Sequence, residues 1–190
     1  MKKSTNIIPV SYTHLVWEGG IALYGSLIGG FLAAVLFCRR RRLSLPAFLD
    51  LIIPGLVLGQ VIGRYGNFTN QEAYGRLITN PNLQFFPYGV YIEELKEWHQ
   101  ATFFYESLWN FFALCFLLFL FHKTTKPGVL TASYFILYGT GRFLIENLRS
   151  DSLTVAGNIR VSAVLSLVLI AFGLLFFFFL FFKKSKYQKN

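Results

Sequence analysis

Acidic residues are scarce in this chain. Nine Asp and Glu stand against eighteen Lys and Arg in 190 residues. Charged residues of both signs make up only 14% of the sequence, where a soluble domain carries roughly 25%. Histidine and cysteine are sparse as well. His14, His99 and His122 lie in separate segments, and no Cys/His cluster has zinc-ligand spacing, so a zinc site is excluded and no metal or cofactor is called for. Cys38 abuts the run Arg39-Arg40-Arg41-Arg42 and Cys115 lies inside an apolar run, which argues against a disulfide framework and against a thiol nucleophile supplied by the protein. The sequence has no Walker A loop, no Rossmann glycine fingerprint and no G-x-S-x-G elbow. Apolar surface, by contrast, abounds: 54% of residues are hydrophobic and 22 are Phe. A soluble core of this size cannot hide so much, and disorder is excluded by the same numbers. A net charge of +9 would suggest nucleic acid in a soluble protein. The basic residues sit instead in short blocks between apolar runs, the pattern by which membrane proteins set their orientation, and no nucleic-acid partner is expected.

The fold class expected is an all-α polytopic membrane protein of about five transmembrane helices. The apolar runs fall at about 20–38, 47–62, 102–121, 129–145 and 161–182, the second interrupted by Pro54 and Gly55 and the fourth carrying Arg142 near its end. With five spans, ten of the eighteen Lys and Arg residues fall on one side, in the blocks at 39–42, 123–126 and 183–189. The positive-inside rule makes that side cytoplasmic. The segment 63–101 then forms an outer-face loop region, and 146–160 is also outside. The organisation expected is an atypical N-terminal segment at 1–16, a transmembrane catalytic domain at 17–182 and a basic cytoplasmic tail at 183–190. Residues 1–16 are too short and polar for a signal peptide and read as the start of a chain that lost an upstream span. The Phe-rich stretch 174–182 is expected to face lipid.

Arginine within a span is costly and usually functional. At 100° per residue, Arg142, Glu146 and Arg149 fall within about 60° on one helix face. They serve either as an ion pair fixing the bundle or as a clamp for a lipid phosphate, to which the planar guanidinium gives bidentate bonds. The stretch from Gly63 to Arg76 mixes glycines with Arg64, Asn67, Asn70 and Glu72. It reads either as a turn-rich connector with interfacial anchors or as a headgroup site. In that site Gly63 and Gly66 would let the backbone approach a ligand. Tyr24 lies in a glycine-rich run beside the small pair Gly25 and Gly29, which suggests close helix packing. Its hydroxyl is either a packing group or an acid–base group. Asp50 reads as a helix-end or ion-pair residue, and His99 as either a base or a solvated interfacial side chain. Glu106, one turn into an apolar run, needs a partner, for which an arginine on the same side is the candidate.

Gly63-Arg64-Tyr65-Gly66-Asn67-Phe68-Thr69-Asn70-Gln71-Glu72-Ala73-Tyr74-Gly75 resembles the signature G-R-x-G-N-F-x-N-x-E-x-x-G of the prolipoprotein diacylglyceryl transferases, matching every fixed position. Trp17-Glu18-Gly19-Gly20 through Gly29-Gly30 is similar to the family's glycine-rich span. Gln100-Ala101-Thr102-Phe103-Phe104-Tyr105-Glu106 resembles its Q-P-T-F-L-Y-E block, with Ala101 where proline is usual. Gly141-Arg142-Phe143-Leu144-Ile145-Glu146-Asn147-Leu148-Arg149-Ser150-Asp151 resembles its G-R-F-x-x-E-x-x-R-x-D block.

The resemblance implies an enzyme of the bacterial cytoplasmic membrane with its active site on the outer side. Such an enzyme transfers a diacylglyceryl group from phosphatidylglycerol to the lipobox cysteine of a prolipoprotein signal peptide, and glycerol 1-phosphate leaves. The partners implied are those two substrates and membrane lipids. It assigns Arg64, Asn67, Asn70, Glu72 and Arg149, with Gly63 and Gly66, to lipid binding. Tyr24, Arg142 and Glu146 are assigned to catalysis. Many family members have His where Tyr24 stands, and they carry further spans before the glycine-rich one. Two other readings are a non-catalytic phospholipid-binding remnant of the family and an anion transporter built around Arg142. Tyr with a pKa near 10 is a poorer base at neutral pH, so Tyr24 is either the base or the group that orients the phosphate by hydrogen bonding, with Glu146 or substrate-side water taking the proton. Tyr24→Phe is expected to lower transfer of labelled diacylglycerol to a lipobox peptide, and full activity in that variant would remove Tyr24 from any chemical role.

Overall fold

The computed structural model describes residues 20–146, 148, 154–155 and 159–182, with the side chains of 20–24, 154–155 and 159–161 outside that description. The expected segments 1–16 and 183–190 lie outside the described residues. Five helices make up most of what is described: α1 (Gly20–Arg41), α2 (Leu45–Thr69), α3 (Thr102–Lys123), α4 (Val129–Glu146) and α5 (Val161–Phe182). Two small antiparallel pairs add to the helical expectation. β1 (Gly89–Ile92) pairs with β2 (Glu97–Gln100), Gly89 opposite Gln100, and β3 (Thr154–Val155) pairs with β4 (Ile159–Arg160).

The chain divides into two compact units, Met1–Phe48 and Leu49–Asn190. In the first, α1 ends on Arg39, Arg40 and Arg41, cations that complement the negative end of the helix dipole. The Leu43 amide closes the helix onto the Cys38 carbonyl at 2.9 Å. Arg42 takes the left-handed conformation that this closure requires, with φ of 56°.

In the second unit, α2, α3 and Ser162–Phe182 of α5 are long and apolar enough to cross a membrane. α2 differs from the sequence expectation. Pro54 lies inside it without interrupting it, and the helix runs 25 residues to Thr69 rather than stopping near Ile62. In an apolar bundle the backbone groups freed by proline are re-satisfied locally. The polar extension to Thr69 is held by contacts to α3, one of them the Ser107 hydroxyl donating to the Val61 carbonyl at 2.8 Å.

α4 is the most enclosed helix, with Leu144 its single exposed residue. A helix surrounded by protein can carry Thr131, Ser133, Thr140 and Arg142 because none of them has to dissolve in lipid. α5 is the opposite case. Leu175, Phe178, Phe179 and Phe182 are exposed, as the Phe-rich stretch suggests. α4 and α5 approach almost backbone to backbone. A Cβ on Gly139 would lie 2.8 Å from the Ser166 carbonyl, and one on Gly173 would lie 2.9 Å from the Ala132 carbonyl. Ile53 and Val57 of α2, Leu114 and Leu117 of α3, and Leu130 of α4 form the apolar core.

Asp50 on α2 holds the start of α4. One carboxylate oxygen accepts from the Gly128 amide at 2.6 Å, and the other accepts from the Thr131 amide at 2.8 Å and the Thr131 hydroxyl at 2.6 Å. An anion at a helix N-terminus satisfies donors that have no intrahelical partner and complements the dipole. Asp50 is therefore a helix-end residue, but for a helix other than its own. Asp50→Ala leaves two buried amides and a hydroxyl without their acceptor. It should cost about 3 kcal/mol, read as a lowered unfolding midpoint in detergent. An unchanged midpoint would show that the clasp contributes nothing.

Candidate functional site

The stretch 63–76 divides into two parts. Gly63, Arg64, Gly66 and Asn67 lie on the last turns of α2, and the chain leaves the helix after Thr69 through left-handed residues at Gln71 and Ala73. Thr69 donates back to the Gly66 carbonyl at 2.8 Å, closing the helix end. The rest of the segment then runs beside β2. The Gly75 amide donates to the Gln100 carbonyl, the Gln100 amide donates to the Arg76 carbonyl, and the Ile78 amide donates to the Trp98 carbonyl. Gly75 is required sterically, because a Cβ there would come 2.7 Å from Gln100 and 2.8 Å from Thr102. His99 is buried in this arrangement, not solvated. Its Nδ1 meets the Gly75 carbonyl at 2.9 Å and its ring lies 4.6 Å from that of Tyr74. Strand pairing over 75–78 covers the face of β2 that a bare interfacial loop would leave wet.

Three helices converge on Glu106. Arg64 of α2 brings Nη2 to 2.5 Å from Glu106 Oε2, and Arg142 of α4 brings Nη1 to 3.0 Å from Oε1. Arg142 also reaches Glu146 Oε2 with Nη2 at 3.2 Å, one helical turn along α4. Glu106 and Glu146 are almost fully buried, at 7% and 2% side-chain exposure, while the guanidiniums keep 23% and 22%. The carboxylates thus form the floor and the arginines the accessible edge. The partner that Glu106 needs is an arginine on each side of it.

Side chains with no charge shape the rest. A narrow recess is lined by Arg64, Glu106, Trp109, Asn110, Tyr138, Gly141, Arg142 and Ile145. The Trp109 indole N–H donates to the Leu137 carbonyl at 3.0 Å, and a Cβ on Gly141 would overlap the indole. Gly141 therefore lets Trp109 lie flat on α4 directly beside Arg142. Asn110, buried on α3, sits one turn below Glu106. The signal for these wall residues is present in the sequence: Glu106, Ser107 and Asn110 recur on one face of an otherwise apolar run, and Tyr138 stands one turn before Arg142.

The other expected site residues are placed as follows. Gly63 and Gly66 have nothing within 4 Å of where a Cβ would stand, so that face of α2 is bare. The Asn67 carbonyl accepts from the Glu72 amide at 3.0 Å, and Asn70 Nδ2 donates to Glu72 Oε1 at 3.2 Å in an exposed cluster. These residues lie beyond Arg64 toward the end of α2. Tyr24 belongs to α1, and its side chain lies outside the described residues, as does Arg149.

A family model described as prolipoprotein diacylglyceryl transferase matches residues 8–179. The chain is 46% identical over 168 residues to a phosphatidylglycerol–prolipoprotein diacylglyceryl transferase of Gloeobacter violaceus, an alignment covering 83% of this chain and 60% of that protein. A protein of the same name from Prochlorococcus marinus is 41% identical over 191 residues, covering 92% of this chain and 64% of its own length. One from Streptococcus agalactiae is 44% identical over 163 residues, covering 84% and 62%. The chain belongs to the prolipoprotein diacylglyceryl transferase family, and it spans 60% to 64% of the length of these three relatives.

Glu106→Gln keeps the shape of the hub and removes its charge, leaving two guanidiniums to face a neutral amide. Breaking a buried pair from one side costs about 3–5 kcal/mol. A comparable loss of stability in detergent is expected, partly restored in the double variant Glu106→Gln/Arg64→Gln. A stability equal to that of the parent would show that the bridge carries no weight.

Proposed function

We propose that this chain forms the phospholipid site of a phosphatidylglycerol–prolipoprotein diacylglyceryl transferase, facing the outer side of the bacterial cytoplasmic membrane. All five helices cross the bilayer in this reading. The catalytic part occupies 17–182, and the basic blocks, including the tail at 183–190, lie inside. The observation that carries the proposal is the meeting of Arg64 and Arg142, 78 positions apart in the sequence, on the two oxygens of Glu106. Each guanidinium has five N–H donors in a planar fork. Glu106 engages one edge of each, which orients both toward the same recess and holds their charges together without a ligand.

A phosphodiester in that recess meets two cations whose positions are already fixed. The lipobox cysteine enters as a thiol, gives up its proton, and attacks as thiolate the glyceryl carbon that carries the phosphate ester. The carbon–sulfur bond forms as the carbon–oxygen bond breaks, and the electron pair leaves on the phosphate oxygen of glycerol 1-phosphate. Charge grows on that oxygen in the transition state, so donors aimed at it stabilise the transition state more than the ground state. The same cations favour the thiolate over a thiol of ordinary pKa near 8.5. Glu146 pairs with Arg142 and, with substrate-side water as the alternative, takes the thiol proton, while Tyr24 orients the phosphate. Asn67, Asn70 and Glu72 bind the glycerol headgroup, Gly63 and Gly66 admit it, and Arg149 adds a further cation.

The test is transfer of labelled diacylglycerol from phosphatidylglycerol to a lipobox peptide. Arg64→Ala and Arg142→Ala should each lower the rate by about 10²–10³-fold, the usual effect of removing one preorganised charge donor. Lysine at either position should restore little, because an ammonium lacks the fork. Undiminished transfer in both alanine variants would overturn the assignment.

A further inference from the structure

The segment between α2 and α3 contains a feature that the lipid-phosphate site does not use. From Leu77 to Ile92 there are sixteen consecutive residues without a charge, bounded by Arg76 and Glu93. Immediately afterwards the hairpin turn carries Glu93, Glu94 and Lys96, with Glu97 opening β2. Ile78, Gly89 and Ile92 of this stretch are buried, but its aromatic side chains are not. Phe85 is 51% exposed and Phe86 is 58% exposed, and Leu77, Tyr88 and Tyr91 are exposed beside them.

Its level along the bundle is fixed by α3. The Phe86 ring lies 5.0 Å from that of Phe104, and the Tyr105 hydroxyl donates to the Tyr88 carbonyl. Phe104 and Tyr105 belong to the first turn of a helix long and apolar enough to cross a membrane. At the same end α2 exposes Tyr65 and Phe68, whose rings pack on Phe103 of α3. The exposed aromatics of the loop therefore lie at the same end of α2 and α3 as the exposed rings of Tyr65 and Phe68.

We infer that residues 77–92 form a membrane-surface anchor, with Phe85 and Phe86 seated at the headgroup–acyl boundary of the leaflet at the Arg64 end of α2 and the acidic turn at 93–97 standing in water. Aromatic side chains collect at that boundary because their faces are apolar while hydroxyls and backbone groups stay hydrated. Charge complementarity agrees: a stretch without charge tolerates the boundary, and three carboxylates in the turn are repelled from an anionic lipid surface. The lipid surface is favoured over a polypeptide partner because the patch adjoins the exposed apolar surface of two helices long and apolar enough to cross a membrane. The inference depends on the membrane placement of α2 and α3 and is independent of the transfer chemistry.

The test uses the full chain in vesicles of phosphatidylcholine with phosphatidylglycerol. Nitroxide labels are placed by Phe85→Cys and Glu94→Cys in a Cys38→Ala/Cys115→Ala background. The label at 85 should relax more with oxygen, which concentrates in lipid, and the label at 94 more with a water-soluble nickel chelate. Equal nickel access at both positions would overturn the anchor and leave the patch open to a polypeptide. A second measurement keeps the native cysteines. Phe85→Trp should add fluorescence that is blue-shifted and quenched by lipids brominated near the headgroup, relative to the parent chain. Added fluorescence quenched only by aqueous iodide would overturn the inference independently.

Discussion

One carboxylate shared by two guanidiniums organises the upper part of this bundle. Arg64 and Arg142 would repel each other across the recess if nothing lay between them. Glu106 turns that repulsion into a tie by giving one oxygen to each. Because Glu106 is buried, the interaction is little screened, and each partner holds the others' conformation. The two cations are thus gathered at one point by the protein itself.

Lipid supplies no hydrophobic force between helices, so membrane bundles rely on close packing of small residues and on polar ties. Both devices are visible. Gly139 and Gly173 bring α4 and α5 together without intervening side chains. The polar ties run down α2, from Arg64 to Glu106, from the Val61 carbonyl to Ser107, from Gln60 to the Tyr134 hydroxyl at 2.8 Å, and from Asp50 to Thr131. Together they bind α2 to α3 and to α4 at intervals of one to three turns, while the exterior stays apolar.

Much of this arrangement is legible in the sequence, and what escapes has specific causes. The apolar runs mark the helices because hydrophobic length is a direct requirement of the bilayer. Glu106 announces its need for a cation because a carboxylate inside an apolar run has few alternatives. The end of α2 escapes because Gly63, Arg64, Gly66 and Asn67 have the composition of a loop. Tertiary ties to α3 override that local preference. The clasp at Asp50 escapes because its acceptors serve residues 78 and 81 positions away. The close glycine contacts at 139 and 173 escape, since a small residue shows where a helix can be approached but not which helix arrives. His99 is hidden by strand pairing over 75–78, a register that no single residue signals.

α4 is gripped at its two ends by acids borne on other helices, Asp50 at its beginning and Glu106 beside Arg142 near its close. The two grips are set about eleven residues apart, roughly 16 Å along the axis at 1.5 Å per residue. Sliding α4 lengthwise by even one residue would unfasten both at once. The two acids thus act together as a lock on α4 against piston-like displacement along its own axis.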